Sequence, residues 1–284
     1  MKRRTFVVST PGRIDGALRD ALQFDRDSVL AHVERGSVYL NGRRVKDAGT
    51  RVGPGQKVMV VLEEGGESVV AEAAAPTPAL EILHEDQDVI AVNKAPGVVA
   101  QPTPGKVGDS LLDLVSAHLG YEAGLVHRLD RETSGVTVFG RNPRATSSLA
   151  AEFREGRAQK EYVAVVSSGI DAKGTIELPL SKDPSRPGRW RASNKANGID
   201  ALTHFERLSD DGEHAVVALF PQTGRTHQLR AHLTGIGFPI LGDALYGGAD
   251  AGRCLLHARK LDLPALNLSF EAPIPEDLKQ FRMK

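Results

Sequence analysis

Gly124-Leu125-Val126-His127-Arg128-Leu129-Asp130-Arg131-Glu132-Thr133-Ser134-Gly135-Val136-Thr137-Val138-Phe139 is a charged loop that runs straight into a β-rich apolar stretch. Thr-Ser-Gly forms the turn between them. Asp130 stands among cations, and neighbouring guanidinium groups favour the ionised form of a carboxylate. Such a group can act as nucleophile, base or metal ligand. A solvated ion-pair loop has the same composition, so both readings stand at this point.

Working outward, short Val/Ile-rich runs recur between Gly/Pro turns: Val89-Ile90-Ala91-Val92, Tyr162-Val163-Ala164-Val165-Val166, Thr175-Ile176-Glu177-Leu178 and Ala215-Val216-Val217-Ala218-Leu219-Phe220. Helices are few. Asn142-Pro143 is a cap followed by a proline at the first helical position, which predicts a helix to about Glu155. Residues 226–236 read as another, closed by Gly235 and Gly237. Strands in this proportion predict an α+β fold with a mixed, mainly antiparallel sheet.

Upstream lies a different text. Ile14, Ala17, Leu18, Ala21 and Leu22 recur at helical spacing. A second helix is expected over 28–35, with Asp27 as cap and Gly36 at its left-handed end. Val38-Tyr39-Leu40, Asn41-Gly42 and Arg43-Arg44-Val45 form a hairpin signal, and Lys57 to Leu62 a further strand. Residues 63–79, acidic and then rich in Ala, Pro and Thr, read as a linker, with an ordered surface loop as the alternative. The expected organisation is a module over 1–62, this linker, and a body over 80–284.

Charge follows the same division. The chain has 284 residues with 36 Lys/Arg against 36 Asp/Glu, so net charge alone argues for no partner. Residues 1–62 nevertheless hold 12 basic and 6 acidic side chains, whereas 63–89 hold 8 acidic and no Lys or Arg. A basic front module followed by an acidic connector suggests that the front faces a polyanion. The single cysteine, Cys254, forms no disulfide within the chain and favours a cytoplasmic setting. The basic N-terminal residues lack the apolar core of a signal peptide, and nothing approaches the roughly 20 apolar residues of a membrane span.

Two further segments carry chemistry. In Thr223-Gly224-Arg225-Thr226-His227-Gln228-Leu229-Arg230-Ala231-His232-Leu233, a helix starting near Thr226 puts Thr226, His227 and Arg230 on one face. Leu229 and Leu233 line its buried side, so Arg230 requires a carboxylate partner near the core. His227 and His232 are five apart, which does not make a metal pair. In Gln159 to Val166, strand alternation sets Tyr162 on the same face as Lys160, either as a core aromatic or as part of a site. After Leu180, Lys182, Arg186, Arg189, Arg191 and Lys195 surround Trp190, a composition suited to a phosphate backbone and a stacked base, or to a plain solvated loop. The residues of a kinase loop, a phosphate-binding loop and a serine-hydrolase elbow are all absent.

His127 to Gly135 resembles the signature of the RluA-type pseudouridine synthases. The other landmarks of that family follow in order: Val92-Asn93-Lys94-Ala95-Pro96-Gly97, Lys160-Glu161-Tyr162, Arg225 to Leu233, Gly242-Asp243-Ala244-Leu245-Tyr246-Gly247, Leu255-Leu256-His257-Ala258 and Glu271 to Leu278. The resemblance covers about residues 80–284. Residues 13–61 are similar to the alpha-L RNA-binding module of a small-subunit ribosomal protein, with Asp25-Arg26 where that module has Ser-Arg. Lys94-Ala95-Pro96-Gly97 and Gln101-Pro102 also depart from the family's usual text.

The resemblance implies isomerisation of uridine to pseudouridine in RNA, without cofactor or metal. Asp130 would be the catalytic aspartate, Tyr162 the aromatic packed on the target base, and Arg230 the cation paired with Asp130. Arg128 would fill the gap left by the extruded nucleotide, and Leu256 would border the pocket. His127 and Arg131 are further candidates for substrate contact, and Arg43, Arg44, Lys46, Arg189 and Arg191 for RNA contact. Ribosomal RNA of the large subunit is the expected substrate and a monomer the expected state. Transfer RNA, or a non-catalytic RNA-binding or ribosome-assembly factor, are the alternatives. A glycosidase requires two carboxylates across one bond, and the motif offers one.

Overall fold

The computed structural model describes residues 2–62, 80–101, 110–193 and 198–281. They fall into two compact units, the first within residues 2–62 and the second comprising the rest. The expected linker, 63–79, lies outside the described residues, as do Pro102 and Lys195.

In the first unit β1 (Lys2–Val7), β2 (Gly12–Arg13), α1 (Ile14–Leu22), α2 (Arg26–Glu34), β3 (Val38–Leu40), β4 (Arg43–Arg44), β5 (Arg51–Val52) and β6 (Lys57–Leu62) follow one another. The sheet order is β1-β6-β3-β4, and β2 pairs with β5. Ile14 and Leu18 of α1 and Val29 and Val33 of α2 pack with Val38, Val58 and Val60 into one apolar core. The helical spacing is confirmed except at Ala21, which is exposed. The cap of α2 is corrected: Asp25, not Asp27, accepts the backbone N–H of Ser28, so the helix starts two residues earlier. Asn41 and Gly42 both take positive φ, as the two-residue hairpin requires. Strand β1, which pairs with β6 along its whole length, has no period-2 pattern in sequence.

The second unit holds β7 (Glu81–Glu85), β8 (Val89–Lys94), α3 (Leu111–Leu119), β9 (Gly124–Leu125), β10 (Ser134–Gly140), α4 (Pro143–Arg154), β11 (Gln159–Ser167), β12 (Lys173–Glu177), β13 (Leu180–Lys182), β14 (Trp190–Ala192), β15 (Leu202–Asp210), β16 (His214–Pro221), α5 (Gln228–Gly235), β17 (Leu256–Leu263), β18 (Leu268–Glu271) and α6 (Glu276–Lys279). Its large sheet runs β12-β15-β16-β11-β17-β10-β8-β7, with β9 beside β10 and β18 beside β17. Among the described strands of this sheet only β10 and β17 pair in parallel. The α+β, mainly antiparallel expectation therefore holds. All seven residues of β10 are buried, as befits a strand covered on both faces. Asn142 caps α4 as expected, accepting the N–H of Ala145.

Two expectations are corrected here. The basic segment after Leu180 contains a hairpin, β13 with β14, rather than an open loop. Helix α5 begins at Gln228, and His227 precedes it in the left-handed region at φ 55°, so Thr226 and His227 share no helical face with Arg230. The helix itself is buried from Gln228 through Leu233. No helix among the described residues is long and apolar enough to cross a membrane.

Candidate active site

The centre of the second unit's sheet sets the floor of a cleft of about 610 Å³ lined by Asp130, Arg128, Tyr162, His227, Arg230 and Leu256, among others. Tyr162 of β11 and Leu256 of β17 come from adjacent strands, and a register shift falls between Glu161 and Tyr162 at this point. Asp130 stands on the loop before β10, with its backbone carbonyl accepting the N–H of Thr133 to close the turn. The loop is held from below by Lys94. The Lys94 side chain is buried and donates to the carbonyls of Ala95, Val98 and Arg131 at 2.8–3.0 Å. Burial lowers its pKa to about 8, although Glu132 and Asp130 favour its charge.

Arg230 has the acidic partner that its burial demanded, but the expected pairing is corrected in detail. Its tight partner is Asp243, bound through Nε and Nη2 at 2.6 and 2.7 Å. Asp130 Oδ2 lies 3.6 Å from Nη1, and Glu132 Oε2 3.8 Å from the same nitrogen. One guanidinium thus serves three carboxylates, and only Asp243 is within hydrogen-bonding distance. Burial works against the charge on Arg230, yet the hydrogen bonds to Asp243 together with the attraction of the Asp243 and Asp130 charges outweigh it and its pKa is raised. Catalytic contacts are commonly long in a free enzyme and tighten with substrate.

His227 approaches the same oxygen of Asp130, with Nε2 3.9 Å from Oδ2. Its Nδ1 is 3.1 Å from the hydroxyl of Tyr246. Burial lowers the His227 pKa, with Asp130 opposing the shift. Tyr162 has its hydroxyl pKa raised by burial and then by the Asp130 carboxylate, so it faces the cleft as a neutral phenol. Among the described residues no three His, Cys, Asp or Glu side chains gather as a metal site.

The remaining candidates divide. Arg128 is exposed on the cleft, Arg131 is exposed and pairs with Glu132, and Leu256 is buried at the floor. His127 is a structural brace: Nε2 accepts the N–H of Val138, and the ring stacks on Phe153 at 4.4 Å. Burial and then Lys160 lower its pKa to about 3. In the first unit Arg44 donates to the carbonyls of Gly36 and Arg35, filling the notch above Gly36, whereas Lys46 is exposed. Arg43 forms β4 with Arg44. Arg189 and Arg191 are half-buried, and the Arg189 guanidinium lies over the Tyr246 ring. Sequence reasoning gave no role to Asp243, Tyr246 or His227. The only available signal was the Gly242-Asp243 step, in a turn too tight for a side chain at Gly242, where a Cβ would lie 1.7 Å from the Arg253 carbonyl.

The cleft thus combines a carboxylate beside a buried cation, apolar and aromatic lining from Leu256 and Tyr162, and the exposed Arg128. Residues 88–234 match the family described as RNA pseudouridylate synthase, and the chain belongs to that family of isomerases, which act on RNA. It is 34% identical over 273 residues to a protein of Bacillus subtilis named uncharacterized RNA pseudouridine synthase YlyB, covering 90% of this chain and 88% of that one. It is 32% identical over 292 residues to the ribosomal large subunit pseudouridine synthase D of Neisseria meningitidis, covering 94% and 77%. Among solved structures, human RNA pseudouridylate synthase domain containing 4 is similar with a TM-score of 0.60 and 28% identity, over 72% of this chain and 94% of that one.

Proposed function

We propose that this enzyme converts uridine to pseudouridine in large-subunit ribosomal RNA, with Asp130 as the catalytic carboxylate. The observation that carries the reading is the position of Asp130 in the cleft, 3.6 Å from a buried arginine and opposite an aromatic floor. The substrate class rests on the names of relatives at about this level of identity.

In the reaction the C1′–N1 bond breaks, the base turns, and a C1′–C5 bond forms. The C5 proton leaves and N1 gains one, so there is no net redox change. A stacked uridine hides C1′ and C5, so the nucleotide must leave the stack at a cost of a few kcal/mol. Arg128, exposed at the rim, would occupy the vacated space, and Tyr162 and Leu256 would receive the base. Asp130 would act on the sugar or assist departure of the base, with the Arg230 guanidinium 3.6 Å from its Oδ2. The neutral Tyr162 favours packing over deprotonation of C5 from the resting state. The front unit would add phosphate contacts, in which Lys46 is exposed and Arg44 is committed to the fold.

The test is tritium release from ribosomal and transfer RNA labelled at uridine C5, by wild type and Asp130→Asn. Release from ribosomal RNA by wild type alone is expected. Release only from transfer RNA overturns the substrate, and equal release by Asp130→Asn overturns the role of Asp130.

A further inference from the structure

Asp243 and Tyr246 stand in one turn before β17, and each touches a different neighbour of Asp130. Asp243 is fully buried and takes two nitrogens of Arg230, leaving Nη1 as the one directed at Asp130. It also accepts the backbone N–H of Tyr246, so the turn and the guanidinium are locked to one carboxylate. Tyr246 is buried, and its ring lies 5.0 Å from the Arg230 guanidinium carbon. Its hydroxyl accepts the backbone N–H of Trp190 at 3.0 Å and lies 3.1 Å from Nδ1 of His227, to which it can donate its hydrogen. With the hydroxyl donating, the His227 proton sits on Nε2, the nitrogen 3.9 Å from Asp130 Oδ2.

We propose that Asp243 and Tyr246 are positioning residues: through Arg230 Nη1 and His227 Nε2 they hold two hydrogen-bond donors near the same oxygen of Asp130, Oδ2. This rests on the reading of Asp130 as the catalytic carboxylate. Neither residue lines the floor where the base would lie, so their effect falls on the rate and not on RNA binding. The glycine at 242 is part of the device, because the turn brings its backbone against Arg253.

Turnover and KM for the RNA are measured for Asp243→Asn, Tyr246→Phe, Arg230→Met and the double variant Asp243→Asn/Arg230→Met, with thermal melts to confirm folding. Asp243→Asn should lower kcat roughly 10- to 100-fold, the range for loss of a residue that orients a catalytic group, with KM within about twofold. In the Arg230→Met background the same change should cost less than about twofold, because the residue through which it acts is gone. Tyr246→Phe keeps the ring, deletes only the hydroxyl, and should lower kcat roughly 2- to 10-fold. Wild-type kcat in folded Asp243→Asn or in Tyr246→Phe, or additive losses in the cycle, overturns the proposal. Asp130→Asn run alongside separates the two failures: if it is inactive the reading of Asp130 stands and only the positioning role falls, whereas if it is active both fall.

Discussion

Gly135→Ala tests whether the Asp130 loop and the cleft floor form one rigid unit. Gly135 is the second residue of β10, at φ 116°, and pairs with Ala258 in the parallel contact between β10 and β17. A Cβ there would lie 2.1 Å from the Ala258 carbonyl oxygen and 2.7 Å from its backbone C and N. Backbone atoms cannot rotate away, so relief requires the strands to part by more than about 1 Å. The left-handed backbone costs an alanine roughly 1–3 kcal/mol and the overpacking roughly another 1–3, together about 4 kcal/mol. At about 3 °C per kcal/mol for a unit of some 200 residues, the melting temperature should fall by about 12 °C. Ala258 also pairs with Tyr162, and Asp130 lies five residues before Gly135, so the shift moves one wall against the floor. A misplacement of about 1 Å costs on the order of 100-fold in rate. Gly212→Ala is the control, because Gly212 has φ 92° with nothing within 4 Å of a Cβ, and only the backbone cost of roughly 1–3 kcal/mol applies. Tritium release at 20 °C and thermal melts report both effects. If Gly135→Ala melts with Gly212→Ala and turns over normally, the close approach does not constrain the site.

Arg230→Met should leave Asp243 buried without its counter-charge, costing roughly 3–5 kcal/mol in urea unfolding, and should lose nearly as much turnover as Asp130→Asn while keeping a measurable residual rate. Adding Asp243→Leu should restore much of the stability and none of the activity; recovery of activity would refute the pairing. Acidification should destabilise the fold through His127 and His257, whose pKa values burial lowers to about 3 and about 4. The unfolded chain binds these protons near pH 6.5, so their contribution is complete above that pH and is lost as pH falls toward the folded values, at about 1.4 kcal/mol per pH unit per histidine. Urea midpoints that do not change between pH 6.5 and 4.5 would contradict this. Lys46→Ala should weaken RNA binding and reduce the salt slope by about one, whereas Arg44→Ala should instead lower the melting temperature of the first unit, as checked by salt-dependent binding and by calorimetry.

What was legible in the sequence depended on interactions that close within a few residues. The Asn142-Pro143 cap, the Asn41-Gly42 hairpin and the strand over 136–139 are local, and each appears where the text places it, except that the strand also takes in Ser134 and Gly135, read from the sequence as turn, because the turn closes earlier through the Asp130 carbonyl and Thr133. Strand β15 is not legible although its partner β16 follows within four residues, because only Thr203 and Phe205 of its nine residues are buried, and β17 is not because β10 and β11 lie far along the chain and Arg259 and Lys260 interrupt its apolar run. The hairpin of β13 and β14 depends on the Tyr246 hydroxyl at Trp190, 56 residues on. In the site, Asp130, Tyr162 and Arg230 were legible as charged or aromatic groups in unusual settings. The backbone turn at His227 leaves no periodic trace, and it was therefore read as helix. His127 looked like a ligand-binding group because its acceptor role toward Val138 is a backbone contact that no residue pattern announces.

The division of one guanidinium among three carboxylates has a chemical consequence on the proposed reading. Were Asp130 the bidentate partner of Arg230, both its oxygens would be tied up in short charge-assisted bonds and it would be a poor nucleophile or base. Asp243 takes that position instead, fully buried, while Asp130 keeps a quarter of its surface open to the cleft and receives the field of the cation across 3.6 Å. The cation stands beside Asp130 without occupying its oxygens in short bonds, and an incoming sugar or base can compete for them. Glu132, more exposed and 3.8 Å from the same nitrogen, opposes part of that field from the far side. Exchange of the two carboxylates' distances, with Asp130 drawn onto Arg230, would therefore give a more stable ion pair and a slower enzyme. A buried carboxylate at 243 prevents this exchange by saturating the two nitrogens best placed for it.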